Sequence, residues 1–273
     1  MTNILKKCAK KMLFFPLVRN IIEKRIVPLY AKPDVEDVRL DLKQAFIEAR
    51  VKASQNEGQL DLEEAFIGED VKALDKLINM AAKENVTALE VGSWKGMSTS
   101  VLAKTVARYK GGQVFAVDHW RGGKKEDWNY EIAQAYDIYT IFKKNMILLG
   151  VWDIVHPMVM ESRTASQIFA DEILDFIFLD GDHRYDGIKN DILSWLPKLK
   201  NGGILCGHDC EGYYSKYSKK IRETIDEHLG DDYITGICHP GVVKALYECF
   251  QDKYQIVPRS VVWYYVKGDI APR

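Results

Sequence analysis

The segment from Phe176 to Asp186 reads FIFLDGDHRYD and places apolar residues directly before acidic and basic groups. Asp180 and Asp182 supply carboxylates, and His183 supplies an imidazole three residues after the first of them. Carboxylates and imidazoles bind divalent cations, and an imidazole also exchanges protons near neutral pH. The segment therefore predicts a buried strand that delivers charged side chains to a site.

Simpler interpretations of these residues stay open. Asp182 and His183 could cap a helix that starts near Tyr185, and Asp180 could face water at the end of its strand. Cys206 and Cys210 flank His208 in the manner of a zinc site. Structural zinc takes four ligands, and the sequence offers no fourth one here, so we disfavour a zinc site.

From Val86 onward, short apolar runs alternate with segments of helical period. Alternating strands and helices predict a doubly wound α/β fold with a mostly parallel, Rossmann-like sheet. The late run SVVWYYVK predicts a final strand that returns antiparallel. Ligands of such sheets bind at the carboxyl ends of the strands. The predicted strands are VTALEV, VFAVD, VHPMVM, DFIFLD and, after the turn KNGG, GILCGHD; the polar residues that close them are Glu90, Asp118, Glu161, Asp180, His208 and Asp209.

The residues before Val86 have a different pattern. DVEDVRLDLKQAFIEARVKASQ and LDLEEAFIGEDVKALDKLINMAAKEN place apolar residues three and four apart, which predicts helices, and NEG at 56–58 marks a break between them. We therefore divide the chain into an N-terminal helical extension, 1–85, and a ligand-binding domain, 86–273.

Composition limits the partners and the compartment. The net charge of −1 gives no overall attraction to nucleic acid. The five cysteines form no CxxC pair, which suits a reducing, cytoplasmic interior. The first 30 residues combine basic residues with a short apolar patch that Pro16 interrupts, which argues against a signal peptide. They suit either a helix on an anionic membrane surface or a helix packed on its own domain or on a second subunit.

A glycine loop follows the first predicted strand in ALEVGSWKGMSTSVLA. Gly92 permits a tight turn, Gly96 permits close backbone approach, and a helix begins near Met97. Asp118 closes the next strand, where a carboxylate can hold a ribose diol. The loop lacks G-x-G-x-x-G, and Glu90 would repel a pyrophosphate but suits an ammonium group. The pattern favours S-adenosylmethionine over a nicotinamide dinucleotide.

These segments, together with HPGVVKAL, resemble the class I S-adenosylmethionine-dependent methyltransferases. Within that class they are most similar to the branch of macrolide sugar O-methyltransferases and cephalosporin-hydroxylase-like proteins. The resemblance covers Val86 to Lys267. It implies cofactor contacts for Gly92, Ser93, Gly96 and Ser98 at the methionine part, for Asp118 at the ribose, and for His119, Trp120, Glu161 and Ser162 at the adenine.

The end of the fourth predicted strand and the end of the fifth predict a cation site. Neighbouring parallel strands lie about 4.8 Å apart, so Asp180, His208 and Asp209 can converge on Mg²⁺, Mn²⁺ or a similar ion. The resembling sugar O-methyltransferases hold a metal with acids at these strand ends, whereas this chain has His208 where an acid is more usual. His183 resembles the histidine taken as general base in those enzymes.

The sequence thus predicts a divalent-metal-dependent O-methyltransferase that uses S-adenosylmethionine and acts on a sugar, a glycoside or another small molecule. Two alternatives stay open. One is a cephalosporin-hydroxylase-like enzyme of the same fold. The other is a non-catalytic protein of this fold that docks to a membrane or a partner through its basic N-terminal helices.

Overall fold

A computed structural model describes residues 60–62, 68–125 and 127–268, and within them the chain forms a seven-stranded sheet. The strand order is β3-β2-β1-β4-β5-β7-β6. The strands from β1 to β5 pair in parallel, and β7 runs antiparallel to β5 and β6. The predicted α/β class and the antiparallel final strand are confirmed. The strands are β1 (Thr87–Val91), β2 (Gln113–Asp118), β3 (Val155–Val159), β4 (Leu174–Leu179), β5 (Leu199–Gly207), β6 (Gln255–Ile256) and β7 (Trp263–Val266).

Helices cover both faces of the sheet. Both faces of the sheet are apolar and must be buried. In β4, Phe176 and Phe178 pack on one side, and Ile177 and Leu179 pack on the other. The helices are α1 (Glu69–Ala81), α2 (Met97–Val106), α3 (Trp128–Ala135), α4 (Ile138–Leu148), α5 (Ser162–Ser166), α6 (Tyr185–Trp195), α7 (Lys219–Glu227) and α8 (Pro240–Phe250).

Three local predictions need correction. The helical pattern expected from Leu60 is not helical at residues 60–62, and α1 begins at Glu69, because Gly68 precedes it with a φ of 64° that a helix cannot continue through. The segment 130–150, one of the segments with a helical period in the sequence, forms two helices that are divided at Asp137, whose side chain caps α4 by accepting from the N–H of Thr140 at 3.0 Å. The sequence KNGG lies inside β5 and not before it, with Gly202 at a φ of 77° where the register shifts.

The described part of the N-terminal extension packs on the sheet. Leu74, Leu77 and Ile78 of α1 are buried in the same core cluster as β1 and α2. The boundary at residue 85 stays a prediction, and the helices and basic segment expected before residue 60 lie outside the described residues. Every helix within the described ranges is too short or too polar to span a lipid bilayer.

Candidate active site

The glycine loop connects β1 to α2 at the carboxyl edge of the sheet. Gly92 has a φ of 87°, and a Cβ at this position would lie 2.1 Å from the carbonyl oxygen of Asp180. Gly96 has a φ of 91° at the start of α2, where a Cβ would lie 2.5 Å from Cε of Met146. Both positions therefore require glycine, and the loop passes directly against the end of β4.

Glu90 is the buried acid beneath this loop. Its side chain is fully buried and accepts a hydrogen bond from the hydroxyl of Thr99. Its other oxygen, Oε1, is buried without a hydrogen-bond partner among the described residues, as is the hydroxyl of Ser93. Burial raises the pKa of Glu90 to about 7. Ser98 lies buried at the same helix start, so polar atoms that a ligand could satisfy face this loop.

Asp118, at the end of β2, fixes the backbone of the loop. Its Oδ2 accepts the N–H of Trp94 at 2.8 Å, and its Oδ1 accepts the N–H of Trp120 at 2.6 Å. Burial raises the pKa of this carboxyl. Each carboxylate oxygen has a second lone pair, so the predicted contact with a ribose is compatible with these bonds.

The two residues after Asp118 have different environments. Trp120 is 5% exposed; its Nε1–H donates to the carbonyl of Trp94 at 2.7 Å and its ring packs on Tyr139 and Phe142. The side chain of Trp120 therefore packs in the core, and its predicted contact with adenine stays a prediction. His119 is about one-third exposed, and its Nδ1 accepts the N–H of Arg121 at 3.0 Å.

The segment after β3 also uses part of its polar groups internally. Glu161 is exposed and pairs with Arg121 at 2.6 Å, which links the loops after β2 and β3. The hydroxyl of Ser162 donates to Asp191 and accepts the indole N–H of Trp195 at 2.8 Å. Burial raises the pKa of Asp191 to about 6. Ser162 therefore anchors α5, and its predicted contact with adenine stays a prediction.

Acidic and imidazole groups converge where β4 and β5 end. Nε2 of His183 lies 3.4 Å from Oδ1 of Asp180 and 3.3 Å from Oδ2 of Asp209. Its Nδ1 lies 3.2 Å from Asp232, a loop residue that follows α7. Burial alone would lower the pKa of His183, but the three carboxylates outweigh burial and raise that pKa well above its ordinary value.

His208 bridges this cluster to the N-terminal helix α1. Its Nδ1 lies 3.1 Å from Asp209 and 3.8 Å from Asp180, and its Nε2 lies 3.6 Å from Asp70. Burial opposes the charged imidazolium, yet the neighbouring carboxylates of Asp209 and Asp70 raise the pKa of His208 to about 10. Asp70 also accepts the N–H of Val261 at 3.1 Å, which fixes α1 at the edge of the site.

A third histidine reaches the cluster from the start of α8. Nδ1 of His239 lies 2.6 Å from Oε1 of Glu211, and its backbone N–H donates to Oε2 of the same carboxylate at 3.0 Å. The same Nδ1 lies 3.7 Å from Asp209. The ring of Tyr233 packs on His239 with centroids 4.8 Å apart. His239 belongs to the segment HPGVVKAL, which carries part of the family resemblance, whereas no sequence motif indicates a role for Glu211, Asp232 or Tyr233.

The donor groups at this edge of the sheet have the chemistry and the spacing to hold a cation. Ligand atoms of Asp180, His183 and Asp209 lie within 4.8 Å of one another. The Nε2 of His183 is buried between the two carboxylates without forming a hydrogen bond. Asp180 and Asp209 thus lie close together, with His183 between them. Nδ1 of His208 also lies 3.1 Å from Asp209 and 3.8 Å from Asp180, and its role as a ligand stays a prediction. Among the described residues, two further groups share members with the group of Asp180, His183 and Asp209: His183, Asp232 and His239, and Asp209, Glu211 and His239.

The chain is similar to known proteins in sequence and in fold. The Methyltransferase domain family matches residues 89–210. A candidate O-methyltransferase from Klebsiella pneumoniae has a similar structure with a TM-score of 0.50 at 14% sequence identity, covering 90% of this chain and 94% of that chain. An O-methyltransferase from Bacillus cereus, in complex with S-adenosylhomocysteine, gives a TM-score of 0.46 at 16% identity, covering 91% of this chain and 96% of the other.

The family match spans the strands and loops that build the site. It begins in β1 just before Glu90, includes the glycine loop, Asp118 and Asp180, and ends directly after Asp209. The structural likeness supports the Rossmann-like fold that the sequence predicts. Residues 89–210 match the methyltransferase domain model, and this match supports the predicted S-adenosylmethionine-dependent methyltransferase.

Proposed function

We propose that this chain transfers the methyl group of S-adenosylmethionine to a hydroxyl oxygen of a sugar, a glycoside or another small molecule, with the help of a divalent cation. One observation carries the proposal. The glycine loop of the cofactor site touches the end of β4, and the cluster of Asp180, His183 and Asp209 begins at that same strand end. Cofactor and acceptor groups would therefore meet at one edge of the sheet.

The cofactor part of the proposal depends on Glu90, Ser93 and Asp118. Oε1 of Glu90 and the hydroxyl of Ser93 lack hydrogen-bond partners among the described residues. They suit the ammonium and carboxylate of a methionine moiety, because a bound ligand would supply partners for these buried polar atoms. Asp118 would accept the ribose hydroxyls. This arrangement accounts for an acid under a loop that would otherwise suit phosphate.

Asp180, His183 and Asp209 would hold the cation. Two carboxylates and one imidazole suit Mg²⁺, Mn²⁺ or a related ion better than they suit ions that prefer thiolates. A cation bound there lowers the pKa of an acceptor hydroxyl and holds its oxygen in place. Methyl transfer needs the oxygen aligned with the S–CH₃ bond, so positioning should supply much of the acceleration.

The acceptor's proton needs a base, and two histidines are candidates. His183, the residue predicted from the resemblance, directs both ring nitrogens at carboxylates and belongs to the cation group. His239 directs Nδ1 at Glu211, which orients the ring and leaves Nε2 for an acceptor hydroxyl. The geometry favours His239 as the base and His183 as a ligand.

The acceptor class rests on the resemblance and on one exposed aromatic side chain. Aromatic faces stack on sugar rings and other flat acceptors. Two tyrosines after β5 already contact other rings: Tyr213 stacks on Tyr254, and Tyr214 packs on Tyr247. Tyr233, by contrast, is 46% exposed beside His239, and it is the better placed to contact an acceptor.

A direct assay tests the proposal. The full chain, treated with a chelator, is supplied with S-adenosylmethionine and a panel of methyl glycosides, nucleotide sugars and catechols. We expect release of S-adenosylhomocysteine with at least one acceptor, and more of it after Mg²⁺ or Mn²⁺ is added back. Binding of the cofactor without release on any acceptor would favour the hydroxylase-like or the non-catalytic alternative. If the release of S-adenosylhomocysteine is unaffected by chelator and by added metal, the reaction does not need a cation.

A further inference from the structure

A lysine is buried inside the glycine loop, and its charge is balanced from outside the matched domain. Lys95 lies between Trp94 and Gly96, and its side chain is 4% exposed. Its Nζ lies 3.1 Å from each carboxylate oxygen of Asp61, a residue that precedes α1 by eight positions. A buried ammonium group is costly unless an anion pairs with it. The contact with Asp61 therefore helps to hold Lys95, and with it this part of the loop, in the observed position.

Asn145 on α4 joins the backbones of the same two residues. Its Nδ2–H₂ group donates to the carbonyl of Asp61 and to the carbonyl of Lys95, both at 2.8 Å. Its Oδ1 accepts the N–H of Asp61 at 3.0 Å. Asn145 is fully buried, and it therefore fixes residues 60–62 to the loop through bonds that water cannot easily replace.

These contacts act on the part of the loop that faces the cofactor. The N–H of Trp94 donates to Asp118 on one side of the loop, and the carbonyl of Lys95 is held by Asn145 on the other. Gly96 then starts α2 against Met146, the neighbour of Asn145 on α4. The backbone between Gly92 and Gly96 is thus fixed from two sides, and one of these sides includes Asp61.

We propose that Asp61, Lys95 and Asn145 form a clamp that positions the glycine loop for S-adenosylmethionine, so that docking of residues 60–62 and binding of the cofactor favour each other. Asp61 and Lys95 are positioning residues in this scheme, since they act through the loop backbone. Coupling between two binding events is reciprocal, so the cofactor must also stabilise the docked segment. The inference rests on the cofactor and not on the identity of the acceptor.

Calorimetry with S-adenosylhomocysteine and the full chain tests the clamp. We expect Asp61→Asn to weaken binding by about tenfold, because it leaves the ammonium group of Lys95 buried without its anion. Lys95→Met should also weaken binding. The double variant should bind no more weakly than Lys95→Met alone, since the two charges act as one pair.

A matched control separates positioning from plain stability. Asp75 on α1 accepts the hydroxyl of Thr105 on α2 at 2.8 Å, and it ties the same N-terminal part to the domain without touching the loop. Asp75→Asn should lower Tm while the affinity for S-adenosylhomocysteine stays within about twofold. Hydrogen exchange gives a second measurement, because S-adenosylhomocysteine should slow exchange of the Asp61 amide in the unaltered chain and not in Lys95→Met.

Three results would overturn the clamp. Affinities within about twofold for Asp61→Asn and Lys95→Met, with a lowered Tm, would make the contact a structural tie only. Tighter binding by Asp61→Asn would mean that the freed Lys95 contacts the cofactor directly. If the unaltered chain does not bind S-adenosylhomocysteine, both the cofactor and the clamp are wrong. If it binds S-adenosylhomocysteine but turns over no acceptor in the panel, the acceptor class is wrong and the clamp is unaffected.

Discussion

Asp180 and Asp209 end neighbouring strands and meet at one atom, Nε2 of His183, at distances of 3.4 and 3.3 Å. In the absence of a cation, a proton on His183 balances these carboxylates, which is why its pKa is raised. A divalent ion would supply the same positive charge. If the proposed ion binds between these carboxylates, it would therefore compete with the proton on His183.

The first prediction concerns the ligands of that ion. Asp180→Asn and Asp209→Asn should each weaken Mn²⁺ binding, measured by calorimetry, by more than about tenfold, because each removes a negative oxygen from the group. The affinity for S-adenosylhomocysteine should change little. Asp182→Asn is the matched control, since Asp182 lies two residues from Asp180 but pairs with Arg184 instead. If Asp180→Asn and Asp209→Asn bind Mn²⁺ as tightly as Asp182→Asn does, these carboxylates do not bind the ion.

The second prediction separates the two histidines. His183→Asn should weaken Mn²⁺ binding and abolish turnover, because it removes a ligand. His239→Asn should leave Mn²⁺ binding intact and lower kcat by about a hundredfold, the usual effect of removing a general base. The measurement is release of S-adenosylhomocysteine on the best acceptor of the panel.

His228→Asn provides the control for the histidine pair. His228 follows α7 and directs Nδ1 at the carbonyl of Thr224 at 2.8 Å, so its replacement should leave kcat unchanged. If His239→Asn behaves like His228→Asn while His183→Asn loses turnover but keeps full Mn²⁺ affinity, His183 is the base, as the resemblance implies.

The sequence predicts the strand ends well, because strand order follows from local signals. Asp180 and Asp209 could be placed side by side since β4 and β5 follow each other along the chain and pair in parallel. The glycine loop could also be recognised, because only glycine suits the positive φ values of Gly92 and Gly96. These features depend on residue type and spacing alone.

Side-chain direction beyond a strand end could not be predicted. Asp209 has a φ of 61°, and this left-handed turn directs it toward His183 while its neighbour His208 reaches Asp70. Trp120 has a φ of 53° and turns into the core. The alternation that locates side chains on a strand ends at such residues. Asp232 and Glu211 lie in loops whose positions depend on tertiary packing.

The third prediction tests the contact between the loop and β4. Gly92→Ala should lower the free energy of unfolding by at least about 3 kcal/mol, because its Cβ would lie 2.1 Å from the carbonyl oxygen of Asp180. Gly150→Ala is the control: Gly150 also has a positive φ, 67°, but nothing lies within 4 Å of its Cβ position, so only about 1 kcal/mol is expected. Urea unfolding measures both, and similar losses would mean that the loop does not press on β4.

The fourth prediction follows from the buried Glu90, whose pKa burial raises from 4.5 to about 7. The folded state binds the proton more tightly than the unfolded state does. Glu90 therefore contributes its full stability below pH 4.5, and this contribution is lost as pH rises to about 7. The difference amounts to at most about 3 kcal/mol. In Glu90→Gln, urea unfolding at pH 5 and pH 7 should show that this part of the pH dependence has disappeared.

Binding of the cofactor should shift Glu90 from its protonated form to its ionised form. An ammonium group beside Oε1 favours the carboxylate, so binding of S-adenosylhomocysteine should release a proton and become tighter as pH rises from 5.5 to 7. Calorimetry in two buffers of different ionisation enthalpy detects that proton. Glu90→Gln should bind more weakly at pH 7 and release none. If Glu90→Gln still releases a proton on binding, the proton comes from another group, and Glu90 does not contact the ammonium group of the cofactor.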